Sequence, residues 1–460
     1  QKKVLEIVES VEKTDVPAWE DKAPSQALMA KPPTPGKIVK EKTLDKVGIT
    51  EWTLSNGARV VLKPTDFEAD NVIITATSPG GEAMASDKDY GNARFADELA
   101  QIGGVGDFDV EQLQKVLAGK QVQVSAQIAE TTEGIDGRGS VRDLETMMQL
   151  IHLEITAPRK DEAMFKVWQQ NTSENLTNQM RNPEFQFLRD SMKAEWKNNP
   201  RHSFPTPEDV AKVDLDKALA FYKSRFSDVS DFTFVIVGAV KPDQMKPLVE
   251  TYLASLPGKG RHEKEKDLGA RRVTGVTKKE WKIGQEPKAS VRLDIYADEP
   301  WSREKDRDLY ILGQVLSIRL REDLREDKGG VYGVGASGNF TREPHSDRTF
   351  SVRFGCDPKR VDELVKATLD DAAALAKDGA DDDHLNRVKE TFLRTRETQL
   401  RQNAFWSGWL TNAYRYGDDP AIVLDTDQVT KRMTSDNVKA SAKHYLDRKN
   451  LFQAVLLPEK

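Results

Sequence analysis

The chain has 460 residues, of which 38% are hydrophobic and 31% charged. This length exceeds what one hydrophobic core usually serves, so we expect two domains of about 200 residues and a connector. The 69 basic and 75 acidic residues give a net charge of −6, and no long block of either sign suggests nucleic acid or an anionic membrane as a partner. The single cysteine, Cys356, excludes an intrachain disulfide and a cysteine-based zinc cluster within this chain.

Residues 1–45 are predicted to form a connector or hinge segment. An amphipathic helical pattern at residues 4–11 is followed by Ala- and Pro-rich sequence that ends at Gly36. Three prolines at positions 32, 33 and 35 remove amide donors and disfavour regular structure. No apolar stretch approaches the ~18 to 20 residues that a membrane-spanning helix needs.

A first domain is predicted at residues 46–262. Its opening sequence places two apolar runs around Asn56-Gly57, a strong short-range signal for a β-hairpin. Strands and helical patterns then alternate. The predicted strands are 72–77, 122–129 and 232–237, and the predicted helices are 89–101, 142–156, 162–197, 215–226 and 246–254.

A second domain is predicted at residues 268–460, after a polar linker at 259–266. It begins with strands at 277–283 and 290–296 and a helix at 303–323. The Tyr-x-x-Arg sequence at 222–225 precedes a strand, and the same spacing recurs at 445–448 before a strand at 451–457. This echo indicates a weak duplication of one fold. The predicted fold class is α+β, with two homologous domains that are each a mainly antiparallel sheet packed with helices.

Local motifs for common chemistries are weak. The six histidines are scattered, and no two lie three or four residues apart, so no local histidine metal site is encoded. Residues 333–338 have the Gly-x-Gly-x-x-Gly spacing of a dinucleotide site, but no helix follows to hold a pyrophosphate. We expect these glycines to let two strands approach or to keep a sheet edge open. The acidic run 381–383 is expected to complement a helix N-terminus.

The Asn-Gly hairpin, the Ser-Pro-Gly-Gly turn at 78–81 and the helix after Tyr90 together resemble the start of a domain in the insulinase (pitrilysin, M16) family of zinc metallopeptidases. In that family's catalytic domain the helix carries H-x-x-E-H, in which two histidines bind zinc and the glutamate is the general base. Here Arg94 and Glu98 stand at the histidine positions and Asp97 at the glutamate position. The resemblance therefore implies a degenerate zinc motif and no metal in this chain.

Two further expectations concern this degenerate motif. Arg94 is expected to pair with Glu98, because residues four apart face each other on a helix. Glu174 stands roughly where the family keeps its third zinc ligand, and one carboxylate without the histidines is expected to be a surface helix residue.

The segment from Leu324 to Gly333 resembles the Arg/Tyr signature in the last of the family's four homologous domains. The resemblance implies that Arg325 and Tyr332 are catalytic residues facing the zinc site, with Gly329 and Gly330 in the substrate-binding turn between them. A guanidinium and a phenol suit the carbonyl oxygen of a peptide, whose negative charge grows as water adds. Spacing alone favours the alternative that Arg325 pairs with a neighbouring glutamate and Tyr332 packs on the sheet.

As a whole, the resemblance implies the non-zinc half of an insulinase-family metalloendopeptidase. This half would close on a zinc-bearing half, in the same polypeptide or a separate subunit, and bind an unfolded peptide as a strand added to a sheet edge. Zinc is expected in the partner half, this chain alone is expected to be inactive, and a periplasmic location follows from bacterial relatives. The alternatives are a catalytically inactive scaffold or core-type relative, and a stand-alone enzyme with another metal arrangement, which the scattered histidines disfavour.

Overall fold

A computed structural model describes residues 27–459. The helical pattern predicted at residues 4–11 lies outside the described residues. The first unit contains strands β1 (Ile38–Leu44), β2 (Ile49–Leu54), β3 (Arg59–Pro64), β4 (Val72–Pro79), β5 (Val122–Ile128), β6 (Thr132–Gly139) and β7 (Thr233–Gly238). Strand β1 lies inside the segment predicted as a connector, so this segment contributes to the first sheet.

These strands form one sheet in the order β1-β2-β3-β7-β4-β6-β5. The predicted hairpin is confirmed, since β2 and β3 pair antiparallel on either side of Asn56-Gly57. Gly57 has a φ of +94°, in the region that favours glycine. Every neighbouring pair is antiparallel except β3 and β7, which run parallel.

Helices cover the first sheet. They are α1 (Tyr90–Ala93), α2 (Ala96–Gly103), α3 (Val110–Val116), α4 (Leu144–Thr156), α5 (Glu162–Gln179), α6 (Pro183–Glu195), α7 (Pro207–Ala211), α8 (Leu215–Phe226) and α9 (Pro242–Leu248), which a π-helical turn continues to Leu253. The helix predicted at 89–101 is interrupted between α1 and α2. The helical patterns predicted between 162 and 197 form α5 and α6, which separate where Asn182 caps α6 and Pro183 occupies its first turn.

The second unit has its own sheet and helices. Its strands are β8 (Val276–Lys282), β9 (Ala289–Asp298), β10 (Val331–Thr341), β11 (Asp347–Cys356) and β12 (Leu451–Leu457), in the order β10-β11-β9-β12-β8. Its helices are α10 (Arg303–Leu320), α11 (Val361–Asp378), α12 (Asp382–Gln399), α13 (Asn403–Tyr416), α14 (Thr426–Thr430) and α15 (Ser435–Tyr445). Asp381 caps α12 by accepting from the amide of His384 at 2.9 Å, as predicted for the acidic run.

The two sheets share one topology. In the second sheet, β12 pairs parallel with β8 and antiparallel with β9. In the first, β7 pairs parallel with β3 and antiparallel with β4. The order β3-β7-β4-β6-β5 is therefore repeated as β8-β12-β9-β11-β10, and the α+β fold with duplicated sheets agrees with the prediction. In this correspondence the edge strand β5 of the first sheet matches the edge strand β10 of the second.

Each unit covers part of the other unit's sheet with a helix. Trp406 and Leu410 of α13 pack on the first sheet in one buried cluster with Val61, Val235 and Val237. Conversely, Phe187 of α6 packs in a buried cluster on the second sheet. Because each helix buries apolar surface of the opposite unit, the two units interlock.

The polar linker predicted at 259–266 is fixed by ion pairs. Arg261 contacts Glu133 at 2.9 Å and Asp231 at 3.1 Å, and all three side chains are largely buried. Further along, Glu265 pairs with Arg415 of α13 at 3.4 Å. The linker thus lies in a set position between the units.

Candidate functional site

The segment with Arg325 and Tyr332 forms a corner between α10 and β10. Helix α10 continues as a π-helical turn, Arg321–Asp327, in which Leu324 is fully buried and anchors the turn. The amide of Gly330 donates to the carbonyl of Leu324 at 2.8 Å and closes the corner. Such π-helical turns are rare overall, and many of those that occur lie at functional sites.

Arg325 is exposed on the outer side of this corner. Among residues 27–459 it has no hydrogen-bond or ion-pair partner, although Glu322 and Glu326 are close in sequence. Glu322 is instead occupied by His384, at 2.7 Å, and by Arg387. The pairing with a neighbouring glutamate that spacing alone favoured is therefore not formed, and the guanidinium is available to an outside group.

Tyr332 is 77% exposed, which is unusual for an aromatic residue in a strand. The register of β10 and β11 shifts between Val331 and Gly333, so Tyr332 is the extra residue of a β-bulge. Bulges re-aim side chains and are frequent beside active sites. Its ring lies against Gly355 of β11, where an added Cβ would stand 3.8 Å from the ring. The phenol is therefore presented to solvent at the start of β10.

The two glycines between Arg325 and Tyr332 differ in their roles. Gly329 has a φ of +53°, which a side chain would strain, and a Cβ there would meet nothing within 4 Å. Gly330 is buried, and a Cβ there would lie 2.6 Å from Leu364 of α11. Gly329 thus leaves open space at the corner, whereas Gly330 is needed for packing.

The degenerate motif residues lie on α2 and the turn before it. The predicted pair between Arg94 and Glu98 is not formed, because the guanidinium of Arg94 donates to the carbonyl of Ser203 at 3.2 Å and lies 5.4 Å from the ring of Tyr90. Asp97 accepts from the amide of Ile128 in β5 at 3.0 Å, and burial raises the pKa of Asp97. Asp97 is therefore a structural link to the sheet edge.

Zinc does not fit these positions. A guanidinium cannot ligate the metal, Glu98 is exposed, and the exposed Glu174 accepts a hydrogen bond from Gln170 one turn earlier at 3.0 Å. Across residues 27–459, no three His, Cys, Asp or Glu side chains are grouped so that they could hold a metal ion. We therefore assign no metal chemistry to this helix.

Two groups were not predicted from the sequence, namely Glu82 near the degenerate motif and Arg353 near the corner with Tyr332. Burial raises the pKa of Glu82, which lies among Arg94, Asp97 and Glu130, so a carboxyl cluster stands beside the degenerate motif. Arg353 of β11 is exposed beside Tyr332's strand and lacks an ion-pair or hydrogen-bond partner among the described residues. The alternating pattern of β11 could have predicted that Arg353 is exposed. It could not have predicted that Arg353 lacks a partner among the described residues.

Comparisons with known proteins identify relatives over most of the chain. Residues 212–392 match the family described as Peptidase M16 inactive domain. The probable zinc protease PqqL of Haemophilus influenzae is 25% identical over 453 residues, which cover 95% of this chain and 47% of that protein. The chain thus spans about half the length of the curated relatives it matches.

Solved structures share the fold. The periplasmic protease PqqL from Escherichia coli superposes with a TM-score of 0.82 at 24% identity, covering 99% of this chain and 50% of that one. The peptidase M16 inactive domain from Pseudomonas fluorescens has a TM-score of 0.73 at 16% identity, covering 89% and 98%. The chain thus matches the inactive domain of peptidase family M16 over residues 212–392 and is homologous to zinc proteases of the PqqL type.

Proposed function

We propose that this chain is the non-zinc half of an M16 metalloendopeptidase, which closes on a zinc-bearing half and holds an unfolded peptide through Arg325 and Tyr332. The observation that carries the proposal is that both side chains are exposed at one helix-to-strand corner and have no hydrogen-bond or ion-pair partner in the described part of the chain. An exposed arginine is ordinarily solvated by water, but an aromatic ring left exposed in a β-bulge at the same corner suggests a ligand from outside.

The chemistry suits a peptide carbonyl. A guanidinium and a phenol both donate hydrogen bonds, and donors aimed at an oxygen that gains negative charge lower the barrier to its attack. Since Arg325 has no partner within residues 27–459, it would reach the carbonyl without breaking an ion pair to any of them. Gly329 supports this role because its open side lets a peptide backbone come close.

Two further observations support a half-shell that is inactive alone. The chain covers about half of its zinc protease relatives, and its degenerate motif does not fit zinc. We therefore place zinc in a partner half, either in the same polypeptide or in another subunit. A periplasmic location follows from the relative described as a periplasmic protease. No described helix is both long and apolar enough to span a membrane.

Reconstitution with the zinc-bearing half tests the proposal. Cleavage of a quenched peptide should fall by roughly 10²- to 10³-fold in kcat when Arg325→Ala or Tyr332→Phe removes a donor. Matched controls are Arg401→Ala, an exposed arginine on the turn after α12, and Tyr310→Phe, a partly exposed tyrosine on α10. Full activity in both test variants would refute the substrate-holding role. Failure of any zinc-bearing half to restore cleavage would favour the scaffold alternative.

A further inference from the structure

Within residues 27–459 the two sheets present four edge strands, namely β1, β5, β8 and β10. An edge strand leaves a row of backbone amides and carbonyls unpaired, and proteins usually protect such a row from other chains. Strand β1 carries charged residues at positions 40–42, and β8 carries them at 278–280 and 282. Charged side chains, lysine above all, are a common protection of this kind.

The edge of β5 is closed by side chains of α2. Asp97 accepts from the amide of Ile128 at 3.0 Å, and the side-chain amide of Gln101 donates to the carbonyl of Ala126 at 2.7 Å. Both backbone groups lie in the C-terminal half of β5 on its unpaired side, so a new strand would have to displace these two hydrogen bonds. Helix α2 thus occupies the edge that corresponds to β10 in the duplicated topology.

Strand β10 has none of these protections. Its eleven residues, Val331–Thr341, include no charged side chain and no proline. It pairs only with β11, and no other described residue hydrogen-bonds to its backbone. A Cβ at Gly333 or Gly335 would meet nothing within 4 Å, so among residues 27–459 no side chain covers the sheet face at these two positions next to the edge.

We infer that the free edge of β10 takes an extended peptide as an added strand. This inference rests on the proposed function, because it specifies where the chain holds the peptide that Arg325 and Tyr332 would contact. Tyr332 begins the same strand, so a peptide paired along β10 would pass the phenol at one end. Main-chain hydrogen bonds along the strand give affinity with little dependence on sequence.

Arg353 adds a preference for an acidic side chain. It lies directly opposite Gly335 in the ladder, and it is exposed and without a partner among residues 27–459. A side chain at position 335 would stand between Arg353 and a strand added to β10, and glycine leaves this path open. Two strand spacings amount to about 10 Å, a gap that an arginine and a glutamate extending toward each other can bridge.

Hydrogen exchange on the full chain tests the site. The probe is a blocked, uncharged peptide as long as β10, added in excess. Amides of 331–341 should gain protection, whereas those of the other edges, 38–44, 122–128 and 276–282, should not. Protection of another edge instead of β10, or of none, would overturn the inference.

Two modified probes sharpen the test. Alternate amides of a strand point to the same neighbouring strand. N-methylation of the peptide residues whose amides face β10 should therefore weaken binding at least about tenfold, whereas N-methylation of the other alternate residues should not. Equal loss for both sets would contradict strand addition. A central glutamate should tighten binding by up to about fivefold. Arg353→Ala should abolish this gain, while Arg138→Ala, at the exposed equivalent beside β5, should keep it.

The same measurements separate this inference from the proposed function. If Arg325→Ala loses cleavage but β10 gains no protection, the peptide is held by the Arg/Tyr corner and the strand inference fails. If β10 is protected but the Arg325 and Tyr332 variants cleave at full rate, the strand site stands and the catalytic role of the pair fails. Protection must persist in Arg325→Ala if main-chain pairing along β10 supplies most of the affinity.

Discussion

The interlock between the two units predicts that damage to one unit is felt in the other's sheet. Leu410 belongs to α13 of the second unit, is fully buried, and packs on Val235 and Val237 of β7 in the first sheet. Leu410→Ala removes three buried carbon atoms and leaves a cavity between the units. Substitutions of this kind cost about 2 to 5 kcal/mol.

A value near 3 kcal/mol corresponds to about a hundredfold change in an opening equilibrium. If α13 and the first sheet open together, amides of Thr233–Gly238 in β7 should exchange about a hundred times faster in Leu410→Ala. Hydrogen exchange followed by mass spectrometry measures this segment directly. The matched control is Leu393→Ala on α12, where the side chain is 39% exposed and the cost should stay within about 0.5 kcal/mol.

The result that would refute the interlock is specific. If Leu410→Ala speeds exchange within α13 (403–416) and leaves β7 unchanged, the helix detaches alone and the units are independent. If β7 accelerates together with α13, the chain behaves as one rigid half-shell. A rigid half-shell requires that any opening for substrate occurs outside the contact between these two units.

Two further predictions concern buried carboxylates. Glu195 is 2% exposed and forms ion pairs with Arg292 and, at 3.1 Å, with Arg272. Glu195→Ala would remove one carboxylate partner from each of these two largely buried arginines, which keep Asp294 and Asp347 as partners. The substitution should destabilise the chain by about 1 to 3 kcal/mol, measured as a lower denaturation midpoint. Burial raises the pKa of Glu154 from 4.5 to about 7, so the folded chain binds this proton more tightly than the unfolded chain, and stability should fall as the pH rises from about 4.5 to 7. Glu154→Gln should remove up to about 3 kcal/mol of that decline, and an unchanged profile would contradict the assignment.

Sequence patterns predicted those parts of the fold that depend on neighbours along the chain. The Asn56-Gly57 hairpin and the strand through Gly333 follow from local turn and glycine preferences. The break between α5 and α6 within the helical region 162–197 also has a local cause, the stop and start signal of Asn182-Pro183. The parallel pairing of β3 with β7 and the packing of α13 on the first sheet join residues far apart in the sequence, and no local pattern encodes them.

The candidate site shows the same limit. The position of Arg325 and Tyr332 at a helix-to-strand corner could be inferred from the sequence, because helix, glycine turn and strand follow one another. The lack of a partner for Arg325 among the described residues could not be inferred, because the nearby Glu322 binds His384, 62 residues away. Likewise, nothing in the sequence near Asp97 indicates that its carboxylate binds the amide of Ile128, 31 residues later.

The duplicated topology gives these differences a common explanation. The edge strands β5 and β10 occupy equivalent places, yet side chains of α2 bond to the edge of β5, whereas no described side chain bonds to the edge of β10. In the first unit, the residue at the motif's glutamate position, Asp97, is one of the two groups that close the edge. Loss of the zinc motif and closure of β5 therefore involve the same side chain. The open edge of β10 begins at Tyr332, so the strand that is free to pair and the donors that are free to bind lie at one corner of the second unit.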